Sequence, residues 1–166
     1  QRYWQQETSD QALSIMAVDL DGNEEDELLM THIHRCGLSV YSFHSGNPLL
    51  LHSHSLETEL YGNVPMGVFS GYLNGDEFLD LVLYAFSGTL HTGYGDGRCN
   101  SNWDCLPVSQ FVMRDITGGD YDGDGNQEIL MAGWATDSLT PCLALISGSD
   151  AERFDDCAIN PIHLRF

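Results

Sequence analysis

Apolar positions along this chain recur with a period of two. Leu38 to His44 alternates apolar and polar after the turn-like Arg35, Cys36 and Gly37, and Leu49 to His54 follows a second turn cluster, Ser45 to Pro48. Successive side chains of a strand point to opposite faces, so this alternation predicts half-buried strands, with Gly, Pro, Asn and Ser marking the turns. Pro141 to Ser147 reads the same way and is bounded by Gly148. No window sustains the 3.6-residue period of a helix over about 12 residues. The prediction is an all-β protein.

Three longer segments repeat: Ser14 to Met30, Met66 to Leu83 and Met113 to Met131. Each has an extended apolar lead, an acidic glycine-bearing loop of nine residues, and then an aliphatic run. The loops start at Asp19, Tyr72 and Asp120, so successive starts lie 53 and 48 residues apart. A period near 50 suits one four-stranded β-propeller blade. The expected organisation is a single unit over 1–166 with blades at approximately 12–60, 64–109 and 111–160, without a linker or low-complexity tract. Closed propellers need about 4–8 blades. The expectation is therefore a partial ring, or a ring completed by other chains. Open blade edges and faces favour either association or excision from a longer chain; two copies would supply six blades, and head-to-tail contacts would build a filament.

The loops carry the most specific chemistry. In the third, Asp120, Asp122, Asp124 and Glu128 occupy positions 1, 3, 5 and 9, with Gly123 and Gly125 between them. Alternate side chains of a tight turn converge, and glycine permits the backbone angles required. Converging carboxylates repel by about 4 kcal/mol per pair at 4 Å and an effective dielectric of 20. A hard dication removes that repulsion, and calcium takes about 6–8 oxygens from carboxylates, carbonyls and water. Asn126 at position 7 would add a carbonyl oxygen. The first loop repeats the pattern with Asp19, Asp21, Asn23 and Glu27, and Glu25 as carbonyl donor. The second has Tyr72 at position 1, then Asn74, Asp76 and Asp80, which predicts weak calcium or an empty loop held by hydrogen bonds. An EF-hand needs a bidentate Glu at position 12 and flanking helices; position 12 here is Met30 or Met131, inside strand-like runs.

Asp-x-Asp-Gly-Asp/Asn-x-x-x-Asp/Glu-Leu/Ile inside a repeat of about 50 residues resembles the FG-GAP or VCBS repeat of integrin α-chain propellers, related fungal lectins and secreted adhesion proteins. The resemblance spans most of the chain. It implies structural calcium in loops that join two strands of a blade, held by Asp19, Asp21, Asn23, Glu27, Asp120, Asp122, Asp124 and Glu128. The Phe-Gly…Gly-Ala-Pro signature is not clearly present, and the family's rings usually have more blades than three.

Charge narrows the class of partner. Twenty-five acids against six Lys/Arg leave a formal net charge of −19, which disfavours nucleic acid and anionic membrane surfaces. No stretch approaches the roughly 20 apolar residues of a membrane helix. Gln1 to Gln6 does not read as a signal peptide and is taken as a mature or trimmed start. Five cysteines predict an oxidising compartment, with Cys99–Cys105 and Cys142–Cys157 as pairs and Cys36 free or joined to another chain; buried thiols are the alternative.

His32, His34, His44, His52 and His54 crowd the first repeat, and His-x-His on a strand places both rings on one face, either as a zinc or copper site or as a partly polar surface. Trp103 is either an exposed stacking aromatic or packed on its own disulfide. Ser70 lacks a nucleophile elbow, and Gly93 to Gly97 lacks the lysine and helix of a phosphate loop. The expected function is a non-enzymatic, calcium-stabilised extracellular adhesion or assembly module whose partner is another protein or further copies of itself. The alternatives are a carbohydrate-binding propeller, a propeller domain attached to an enzyme, and an intracellular scaffold with reduced cysteines.

Overall fold

The computed structural model describes residues 11–33, 37–43, 47–55, 64–86, 88–98, 101–107, 111–136, 141–147 and 158–162. The cysteine pairings predicted above, and His34 and His44, fall outside what is described. The described chain is all-β, without helix.

Each repeat folds into one four-stranded antiparallel sheet with its strands in chain order. Sheet I comprises β1 (Ala12–Val18), β2 (Glu27–His32), β3 (Gly37–Ser42) and β4 (Leu49–Ser55). Sheet II comprises β5 (Pro65–Gly71), β6 (Asp80–Ala85), β7 (Thr89–Gly95) and β8 (Ser101–Pro107). Sheet III comprises β9 (Phe111–Gly119), β10 (Glu128–Ala135), β11 (Pro141–Ser147) and β12 (Ala158–Ile162). In every sheet the acidic loop joins the first strand to the second. The described sheets do not close into a barrel or a ring.

The sheets stack face to face in chain order, and two apolar layers hold them. One layer joins Leu29, Leu38 and Val40 of sheet I to Leu81 and Leu83 of sheet II. The other joins Val82, Tyr84 and Leu90 of sheet II to Met113, Ile129, Met131 and Ile146 of sheet III. Sheet II is thus covered on both sides, and every residue of β6 is buried. A strand covered on both faces has no solvent side to fill with polar residues, so it reads as an unbroken apolar run. Leu81 to Ala85 is that run. Each fully buried aliphatic in these layers contributes about 1.5–3 kcal/mol relative to exposure. The first strands pack in succession, β5 lying against β1 on one side and β9 on the other.

Glycine allows the closest of these approaches. A Cβ at Gly118 of β9 would overlap the ring of Phe69 of β5, which packs against the layer between sheets II and III.

Candidate metal centre

The backbone of each loop is set by its own side chains. In the first, Asp19 Oδ1 accepts from the N–H groups of Gly22 (2.8 Å) and Asn23 (3.0 Å), and Oδ2 accepts from Glu24 N–H (2.8 Å). Asp21 Oδ1 accepts from Asn23 N–H, and Asn23 Oδ1 from Glu25 N–H. In the third, Asp120 holds the N–H groups of Gly123 and Gly125, Asp122 that of Asp124, and Asp124 that of Asn126. These short side chains bond backbone donors two to five residues on, as Asx turns do. The chain bends through the left-handed region at Gly22 (φ 75°) and Glu24 (φ 68°) in the first loop, and at Gly123 (φ 81°) and Gly125 (φ 99°) in the third.

Two acidic clusters result. Carboxylate oxygens of Asp19, Asp21 and Glu27 lie within 4.8 Å of one another, and so do those of Asp120, Asp122 and Asp124. Oxygens on opposite sides of a calcium ion, each about 2.3–2.6 Å from it, stand about 5 Å apart, so both spreads are compatible with a single ion. Glu27 is buried, whereas all three acids of the third cluster are exposed. Both clusters can hold a metal ion.

The acid at position 9 has a second role in all three loops. Glu27 Oε2 accepts from Leu20 N–H (2.9 Å), Asp80 Oδ2 from Leu73 N–H (2.9 Å), and Glu128 Oε2 from Tyr121 N–H (2.7 Å). These side chains are 2%, 0% and 2% exposed, so each pins the start of its loop to the start of the following strand from inside the fold. Glu128 does not join the convergent group formed by Asp120, Asp122 and Asp124. The sequence carried this signal, because position 9 stays acidic in the second loop, where position 1 has become Tyr72 and position 3 Asn74.

The second loop brings no convergent acidic group together among the described residues. Asn74 Nδ2 donates to Asp76 Oδ2 (2.8 Å), and Asn74 and Asp76 accept from Asp76 N–H and Phe78 N–H. Asp80 uses its other oxygen to accept from Gly95 N–H of β7 (3.0 Å). Burial pushes the Asp80 carboxyl above its ordinary value, against the opposing pull of those N–H groups. Of the remaining residues expected as carbonyl donors, Glu25 is exposed and Asn126 half-buried.

The three loops neighbour one another. Gln127 N–H in the third donates to Tyr72 O in the second (2.9 Å). A cleft of about 160 Å³ separates the first and second loops, lined by Asp19, Asp21, Tyr72, Glu77, Phe78 and adjoining backbone. Six acids of the first loop, three of the second and four of the third are 13 of the chain's 25, and no Lys or Arg lies within those loops. The charge is therefore concentrated where a cation would be held.

The described histidines do not gather into a metal-binding group. His32 lies on the opposite face of sheet I from His52 and His54, by the pairing of β2 with β3 and β3 with β4. Its Nε2 is bonded to Ser39 Oγ (2.9 Å). His52 and His54 point into the layer between sheets I and II, so the face predicted to be a polar surface is an internal junction. There His54 stacks on Trp103, with His91 of β7 nearby. No histidine belongs to a convergent group among the described residues. Trp103 is half-buried, with one face covered by His54.

No protein-family model matches the chain, and no curated protein is detectably similar to it.

Proposed function

We propose that the chain is a non-enzymatic, calcium-stabilised extracellular module for adhesion or assembly, built from propeller-type blades similar to FG-GAP or VCBS repeats. The convergence of Asp19, Asp21 and Glu27, and of Asp120, Asp122 and Asp124, carries this reading. Hard oxygen ligands on short loops suit calcium rather than a softer metal. Stacked four-stranded sheets whose first strands pack in succession agree with consecutive blades. The formal charge of −19 and five cysteines favour an exterior setting. Burial displaces the Asp80 carboxyl upward, and both its oxygens are occupied by backbone donors, which suits a structural role.

Native mass spectrometry and thermal melting, with and without a chelator, test the proposal. At least two calcium ions per chain are expected, one for each convergent loop. At a free calcium concentration 100 times the dissociation constant, each site stabilises the fold by about 2.7 kcal/mol. A chain that retains no calcium and melts at the same temperature in chelator would sink the reading.

The cleft beside the first cluster favours a second reading, a glycan-binding module. Tyr72 and Phe78 are 43% and 36% exposed there, next to Asp19 and Asp21, an arrangement that offers a sugar apolar faces and carboxylate acceptors. Glycan-array binding abolished by Tyr72→Ala would favour it over adhesion to protein.

A further inference from the structure

We infer that the two ends of the sheet stack are complementary, so that sheet III of one copy of the chain docks on sheet I of the next, head to tail. The inference rests on the assembly half of the proposed function and not on calcium.

The argument comes from a register rule that both internal junctions obey. In each sheet the second strand begins with the position-9 acid: Glu27, Asp80 or Glu128. The first and third residues after that acid face the preceding sheet, namely Leu81 and Leu83 in sheet II and Ile129 and Met131 in sheet III. The second residue faces the following sheet, Leu29 in sheet I and Val82 in sheet II; in sheet II the fourth, Tyr84, does so too. Strand alternation extends the rule to the ends. It assigns Leu28 and Met30 of sheet I to a face shaped for a preceding sheet, and Leu130 and Ala132 of sheet III to a face shaped for a following one. Among the described residues neither end has that neighbour.

Both end faces carry apolar side chains beside polar ones: sheet I also presents the buried His32 and Ser39, and sheet III the exposed Asp115 and Thr117. On sheet I, Ile15 pairs with Met30, and Leu50 lies in line with Leu28 through Tyr41. Ile15 is 67% exposed and Leu50 50%. On sheet III, Leu130 pairs with Leu145 and Ala132 with Leu143, all four side chains being half-buried. Pairing the two ends continues the contact already made twice inside the chain. Pairing like with like would set first-and-third positions against their own kind, which neither internal junction does. Such a contact is heterologous and either closes into a ring or grows.

Sedimentation velocity of the full chain over a concentration series tests this, in calcium and in chelator. The wild type is expected to gain mass with concentration. Ile15→Lys with Leu50→Lys blocks the sheet I end, and Leu130→Lys with Leu145→Lys blocks the sheet III end; each trapped ammonium raises the dissociation constant by about tenfold or more. Each blocked protein alone is expected to be monomeric, while their mixture forms a 1:1 complex that grows no further. Circular dichroism confirms the fold, and Leu143→Arg replaces the second variant if it does not fold. A wild type that stays monomeric, a blocked variant that still self-associates, or a mixture that stays monomeric overturns the inference. Association by a chain that retains no calcium even when calcium is supplied, and melts unchanged in chelator, overturns only the calcium reading.

Discussion

The imidazole of His54 lies flat on the indole of Trp103, with ring centroids 4.2 Å apart and planes 11° from parallel. This contact joins the last strand of sheet I to the last strand of sheet II. Burial, then the nearby His91 and His52 rings, lowers the His54 pKa to about 4. Burial lowers His91 as well. His91 Nε2, His52 Nε2 and Trp103 Nε1 are buried there without hydrogen-bond partners, so the junction offers an imidazolium no acceptor.

The first prediction is acid sensitivity of this junction. A histidine whose folded pKa is depressed leaves the unfolded chain binding more protons between about pH 6.5 and pH 4, so stability falls as pH falls through that window. Below about pH 4 the His54 contribution levels off. Asp80, whose carboxyl is raised, acts in the opposite sense, since its protonation favours the folded state. The melting temperature is expected to drop from pH 7 to pH 4.5, and His54→Phe, which keeps the stack without a titrating ring, should flatten the profile. An unchanged profile in that variant would refute the assignment.

A second prediction concerns the left-handed turn residue Glu24. It occupies the position that Gly125 fills in the third loop, and a side chain there costs about 1–2 kcal/mol. Glu24→Gly should raise the stability of the chain by about 0.5–1 kcal/mol, glycine's greater unfolded-state freedom offsetting part of the relief. Gly125→Glu should cost a similar amount. Urea denaturation in chelator, where ion binding cannot mask the effect, reads both.

The third prediction tests the close approach at Gly118. An added methyl would overlap Phe69 and press on Glu128 O at 3.1 Å. Overpacking of this kind costs about 1–3 kcal/mol. Gly118→Ala should lower the urea midpoint, and adding Phe69→Leu should recover part of the loss, giving a coupling energy of opposite sign to the single effects. Strict additivity would show that the ring and the glycine are not in the contact described.

These residues show what the sequence disclosed. The acidic loops and the three sheets were legible because their determinants are local: alternate acids, glycines at turns, and runs of period two. The run from Leu81 to Ala85 even signals a strand buried on both faces. The histidine face was not legible. Whether His52 and His54 meet water or another sheet depends on Trp103 and His91, which lie far along the chain on sheet II. The anchoring role of Glu27, Asp80 and Glu128 was half legible. Their common acidity was visible, but a carboxylate that serves the backbone resembles one that serves a metal until its partner N–H is known.

That ambiguity yields the last prediction, which separates the two roles of position 9. Asp80 accepts from Leu73 N–H with one oxygen and from Gly95 N–H with the other, so Asp80→Asn turns an amide NH₂ toward one of these donors. A buried donor left unpaired costs about 1–3 kcal/mol. The loss should be the same with calcium or chelator, because the second loop has no convergent acidic group. Glu27→Gln keeps one acceptor for Leu20 N–H while removing a charge from the cluster with Asp19 and Asp21. Calcium affinity should fall by about tenfold or more, since affinity follows the ligand charge count. Glu128→Gln should resemble Glu27→Gln in chelator but weaken calcium less, its carboxylate standing outside the Asp120, Asp122 and Asp124 group. Calorimetric titration and urea denaturation of the three variants decide the matter. Equal losses of calcium in all three would show that position 9 is a ligand throughout, and that its bond to the backbone is incidental.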